Sequence, residues 1–159
     1  MGSGPVLIGY DGSPAADHAL REAAPLLAPR RAVVVVVWEA GRAFDLTELP
    51  SVSLDLPPAG LDLRTAFEID QAQYEAAQRL ARHGAALAAT LGLEAEGLAV
   101  ADELTVADTL LRLTREYESA CVVVGSHGHS ALGELLLGST SRELLKTADC
   151  PVLVVRGER

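Results

Sequence analysis

The residues best placed to do chemistry form two separated groups of glycines and hydroxyls. Near the start, Val6-Leu7-Ile8 runs into Gly9-Tyr10-Asp11-Gly12-Ser13. Near the end, Val122-Val123-Val124 breaks into Gly125-Ser126-His127-Gly128, and Gly138-Ser139-Thr140-Ser141 follows. Glycine has no Cβ, so a ligand can approach its backbone closely. A helix start offers N–H groups with no intrahelical acceptor, and these hold an anion. Such a pattern suits the gripping of phosphate by main chain, which makes nucleotide binding the leading expectation.

Charge narrows the choice. The 159-residue chain carries 13 Lys and Arg against 22 Asp and Glu, a net charge of −9. A general nucleic-acid or anionic-membrane surface needs a basic face, so neither partner is expected. Lys146 is the only lysine, and it lies far down the last helical segment. A phosphate site must therefore rely on N–H groups, hydroxyls, arginine or a metal. The P-loop pattern G-x4-G-K-[ST] is absent, and Ser126 and His127 are adjacent rather than arranged as a triad. The expectation is a binding protein rather than an enzyme, with slow hydrolysis as the alternative. His127 and His129 flank Gly128 at a spacing unlike that of a helical zinc pair. They are read as solvated loop residues, with phosphate or metal contact as alternatives.

The elements that must position these groups alternate along the chain. Val6 to Ile8 is a short apolar strand. Ser13 is an N-cap, Pro14 a first helical residue, and Asp17 a first-turn acid. Ala16, Leu20, Ala23, Ala24 and Leu27 then repeat at helical spacing, and Pro29 ends the run. Ala32 to Trp38 reads as a strand buried on both faces. Residues 39–65 show no period and include Pro50, Pro57 and Pro58, so a mobile insertion is expected there. Its acids, Asp45, Glu48, Asp55 and Asp62, raise the possibility of a lid ordered by ligand. A long helix runs from Phe67 to Leu91, stopped by Gly92. Leu93 to Val100 is a weak strand. Asp102 or Thr105 caps the next helix, whose inward face is Val106, Leu110, Leu113 and Tyr117. Cys121 to Val124 is the fourth strand. Thr140 with Glu143 reads as a capping box for the last helix, and Pro151 to Arg156 as the fifth strand.

Five strands with helices between them predict a parallel sheet covered on both faces, an α/β three-layer sandwich. Ligands in such folds bind beyond the carboxyl ends of strands where strand order reverses. The glycine loops after the first and fourth strands would meet there if those strands were neighbours. Cys121 and Cys150 are expected to be small core residues in a reducing compartment. No signal peptide is evident, and the longest apolar run is too short to cross a bilayer, so the cytoplasm is expected.

The chain resembles the universal stress proteins of the UspA type, and over essentially its whole length. The residues that carry the likeness are Val6 through Ser13, the pattern Gly125-x2-Gly128-x9-Gly138-Ser139, and Cys150-Pro151-Val152-Leu153-Val154-Val155-Arg156. The resemblance implies one domain over residues 1–159, a five-stranded Rossmann-like sheet of order 3-2-1-4-5, a homodimer, and the ATP-binding branch of the family. It implies that Gly9, Tyr10 and Asp11 line the nucleoside pocket and that Val37 offers backbone to the adenine edge. Val124 and Gly125 would contact the nucleoside, and Gly128 would admit the phosphates. Gly138, Ser139, Thr140 and Ser141 would bind the phosphates, accompanied by Mg2+. Cyclic AMP is an alternative ligand. An ATP-independent interaction module and a slow ATPase are the rival readings. One departure from the family is Ala101-Asp102-Glu103, acidic where a small Gly-x-Pro-type turn often stands. The apolar segment Pro151 to Arg156 would end the sheet, and pairing across a two-fold axis would cover it.

Overall fold

Alternation within the apolar runs decides the layering. The computed structural model describes residues 3–39, 63–102, 104–126 and 137–157. Its elements are β1 (Val6–Gly9), α1 (Pro14–Leu27), β2 (Arg31–Trp38), α2 (Leu63–Thr90), β3 (Glu94–Ala101), α3 (Val106–Glu116), β4 (Cys121–Gly125), α4 (Ser139–Thr147) and β5 (Val152–Val155). All five strands pair in parallel in the order β3-β2-β1-β4-β5. Val6, Ile8, Val34, Val36 and Val123 face α1 and α2, whereas Leu7, Val33, Val35, Val122 and Val124 face α3 and α4. Both faces of the central strands are buried, which is why their sequences are continuously apolar. Each fully buried valine adds about 1.5–3 kcal/mol.

The two faces are packed differently. On one, Ala16, Ala19, Ala23 and Ala24 of α1 and Ala77, Ala81, Ala85 and Ala88 of α2 are buried. On the other, the buried residues are large: Leu110, Leu111 and Leu113 of α3 and Leu144 of α4. Burial pushes the Cys121 and Cys150 thiols above their usual range. Both are free thiols packed against the core, Cys121 on the alanine face and Cys150 on the leucine face.

Several boundaries differ from the sequence reading. Helix α2 begins at Leu63, four residues before Phe67, so the end of the expected insertion is helical. The rest of that stretch, residues 40–62, lies outside the described residues, as do Glu103, His127, Gly128 and His129. Strand β5 is shorter than Pro151 to Arg156. Thr105, not Asp102, caps α3: its Oγ1 accepts from the Asp108 N–H at 3.1 Å and donates to the Asp108 carboxylate at 2.7 Å. Val106 does not join the buried face of α3; as first residue of the helix it is 40% exposed.

Helix α3 ends in a hydrogen-bonding pattern that usually calls for glycine. The Ser119 N–H donates to the Thr114 carbonyl at 2.9 Å, and the Glu118 N–H to the Arg115 carbonyl at 3.2 Å. This double closure is the Schellman motif, and it forces Glu118 to φ 47°. Left-handed backbone costs an L-residue roughly 1–2 kcal/mol, while glycine adds roughly 0.5–1 kcal/mol of freedom to the unfolded chain. Glu118→Gly is therefore expected to stabilise the protein by about 0.5–1 kcal/mol, seen as a higher urea midpoint at unchanged slope.

Candidate functional site

The loop after β1 is built from short-range hydrogen bonds. The Tyr10 N–H donates to the Val35 carbonyl at 2.8 Å, which carries the loop along β2. The Asp11 carboxylate accepts the Ser13 N–H at 3.0 Å. Ser13 then caps α1, its Oγ accepting the Ala16 N–H at 3.1 Å. Tyr10 is only 5% exposed, and its hydroxyl donates to Asp17 Oδ1. Gly9 lies where the chain leaves the sheet. A Cβ there would stand 3.1 Å from Val124 Cγ1 and 3.3 Å from Leu110 Cδ1, so glycine keeps space open between β1, β4 and α3.

The start of α4 is set by backbone rather than by a capping box. Gly138, not Thr140, is the N-cap, and no side chain caps the helix. The Gly138 N–H donates to the Ser126 carbonyl at 2.7 Å, tying the helix start to the end of β4. Ser141 is 2% exposed, and its hydroxyl donates to the Gly138 carbonyl at 3.1 Å and toward Ser126 O at 3.4 Å. The Arg142 guanidinium donates to the Leu137 carbonyl at 3.0 Å. The first intrahelical bond is Arg142 N–H to Gly138 O. Helix geometry leaves the N–H groups of Ser139, Thr140 and Ser141 without intrahelical acceptors.

These two loops meet around a crevice of about 180 Å³. Gly9, Tyr10, Asp11, Val37, Val124, Gly125 and Thr140, all expected from the sequence, line it. Four more lining residues escaped the sequence reading: Ala16, Val35, Val106 and Leu110. Their only sequence signal was apolar periodicity, which also describes core. Ser139 lies instead in an adjoining hollow of about 380 Å³, with Thr105, Asp108 and Glu143. That hollow shares Val106 and Thr140 with the first. Gly138 and Ser141 line neither hollow, and their described hydrogen bonds join the start of α4 to the end of β4.

The crevice has apolar walls, from Val35, Val37, Val124, Leu110 and Ala16. Its polar features are the Asp11 carboxylate, the Thr140 hydroxyl and main-chain groups. Among the described residues, no three His, Cys, Asp or Glu side chains cluster as metal ligands, and no helix is long and apolar enough to cross a membrane.

Fold and site together define a doubly wound α/β protein with a crevice where strand order reverses. Residues 3–156 match the Universal stress protein family, and the chain belongs to that family. A universal stress protein of Mycolicibacterium smegmatis is 36% identical over 165 residues, covering 96% of this chain and 48% of the relative. The chain spans about half the length of the mycobacterial relatives it matches. A universal stress protein solved in complex with cAMP has a TM-score of 0.62 at 22% identity, over 96% of this chain and 97% of that one. A universal stress protein from Archaeoglobus fulgidus, in complex with dAMP, has a TM-score of 0.61 at 18% identity, over 98% of this chain and 100% of that one. At these identities the likeness shows the fold.

Tyr10 connects the loop to pH. Burial foremost, and then the hydrogen bond to Asp17, hold its phenol well above the ordinary value of 10.0. The unfolded chain therefore loses this proton first. The contribution of Tyr10 is complete below pH 10.0 and declines as pH rises from there toward the folded value. Tyr10→Phe is expected to cost about 1 kcal/mol at neutral pH. It should also flatten the fall in melting temperature above about pH 10. An equally steep fall in the variant would show that Tyr10 is not the group responsible.

Proposed function

We propose that this chain binds an adenine nucleotide in the crevice between β1 and β4, and that it acts as a regulatory binding protein with slow or no hydrolysis. The observation that carries the reading is the convergence of an apolar slot, walled by Val35, Val37, Val124 and Leu110, with the Asp11 loop and the start of α4. The base occupies the slot, and the phosphates extend over the Ser139 and Thr140 N–H groups. The nucleotide complexes of family members support this choice of ligand. ATP with Mg2+ is the ligand we favour. Mg2+ takes oxygen ligands and binds largely through substrate phosphates, so the hydroxyls of Ser139 and Thr140 suit it without a carboxylate cage. When bound, it would neutralise phosphate charge. We assign no general base.

Thermal denaturation with ATP and Mg2+, AMP or cyclic AMP tests the reading. A nucleotide at 100 times its Kd should add about 2.7 kcal/mol of stability. Gly9→Val, whose side chain would enter the slot, should abolish that gain while the circular dichroism spectrum is kept. No gain with any nucleotide would leave an ATP-independent interaction module, whereas multiple turnovers lost in Ser139→Ala would make the protein a slow ATPase.

We also propose a homodimer through β5, and a cytoplasmic setting consistent with two free thiols. Strand β5 is the sheet edge. The Pro151 and Val155 carbonyls pair inward with β4, so the backbone of Val152 and Val154 faces outward. Val154→Lys is expected to convert the dimer to a monomer in analytical ultracentrifugation; a variant that remains dimeric would move the interface elsewhere.

A further inference from the structure

Helix α2 lies on the sheet face opposite the crevice wall, yet it reaches the Asp11 loop. Gly84 is the only glycine in this 28-residue helix, and glycine weakens a helix interior. Its place is explained by what a side chain would strike. A Cβ at Gly84 would fall 2.8 Å from Val34 Cγ1 and 2.9 Å and 3.0 Å from Cδ1 and Cε1 of the Tyr10 ring. Neither neighbour is a loose side-chain end: Val34 is a fully buried sheet residue, and Tyr10 is held at its hydroxyl by Asp17. One helical turn earlier, Leu80 meets the other side of the same loop. A Cβ on Gly12 would lie 2.7 Å from Leu80 Cδ1, and Gly12 sits at φ +74°. Residues four apart on a helix share one face. That face of α2 therefore brackets Asp11, touching the residue before it and the residue after it.

We propose that Gly84 and Leu80 are positioning residues for the candidate ligand site, so that the seating of α2 sets the affinity of the crevice. This rests on the nucleotide reading above. Neither residue lines the crevice. They act through Tyr10 and Gly12, which hold Asp11 at the mouth. A Gly84 side chain would press on Val34 of β2 and push the Tyr10 ring, and with it the Asp11 backbone. The coupling is reciprocal by thermodynamic necessity: a ligand that favours the seated loop also favours the seated helix.

The test compares three variants by calorimetric titration with ATP and Mg2+, AMP and cyclic AMP, and by hydrogen exchange at the amides of Gly12 and Ser13 without ligand. Gly84→Ala should weaken binding about tenfold and speed exchange at both amides, as expected when a positioned group shifts by a fraction of an ångström. Leu80→Ala removes support without adding bulk, and should move both readouts in the same direction even where Gly84→Ala fails to fold. Leu87→Ala loosens α2 at a position away from the loop; it should lower the melting temperature but keep the affinity within about twofold. Unchanged affinity and exchange in Gly84→Ala and Leu80→Ala would overturn the coupling. Equal weakening by Leu87→Ala would also overturn it, reducing the effect to general destabilisation. A wild-type protein that binds none of the nucleotides would overturn the nucleotide reading, and this inference with it.

Discussion

The structure depends on one pairing, that of β1 with β4. Val6, Leu7 and Ile8 stand against Cys121, Val122 and Val123 in parallel. These strands lie more than a hundred residues apart in sequence, and the chain crosses the sheet in opposite senses from either side of them. Right-handed crossovers send α1 to one face and the connection into β4 to the other. A crevice lies beyond the strand ends at this junction. Gly9 keeps it open, because a single methyl at that position would press on Val124 and Leu110.

The crevice is an extension of one half of the core. Val35, Val124 and Leu110, which wall it, belong to the same packed cluster as Leu7, Val33 and Leu144. A planar ligand placed there would continue the stacking of that layer past the end of the sheet. The opposite layer contributes differently. Its alanines let α1 and α2 lie close to the strands, and that closeness brings Leu80 and Gly84 against the loop. Asp11 and Thr140 are among the polar residues that line the crevice. This suits a chain with a single lysine and a net charge of −9.

Some misreadings share a cause. Thr140 with Glu143 had the spacing of a capping box, but the loop is closed by Gly138 N–H to Ser126 O, a contact between residues twelve apart, and that moves the helix start to Ser139. The Ser141 hydroxyl turns inward to the same loop, while its N–H has no intrahelical acceptor. Val106 had the spacing of a core residue and lines the crevice instead. The start of α4 and the surroundings of Val106 were decided by partners distant in sequence, which local pattern does not encode.

What the residues determine by themselves is the kind of element at each place. Continuous β-branched runs are stable only when buried on both faces, and Ser13, Thr105 and Gly92 mark helix ends through their own hydrogen bonds or backbone freedom. That was enough to predict the parallel sheet and to single out both glycine loops. The adjacency of β1 and β4, the apolar wall shared by Val35, Leu110 and Val106, and the reach of α2 to Tyr10 and Gly12 were decided only by tertiary structure. The reason is physical: a periodic apolar residue loses water in the same way whether it faces core, crevice or a neighbouring loop, and only the three-dimensional packing distinguishes them.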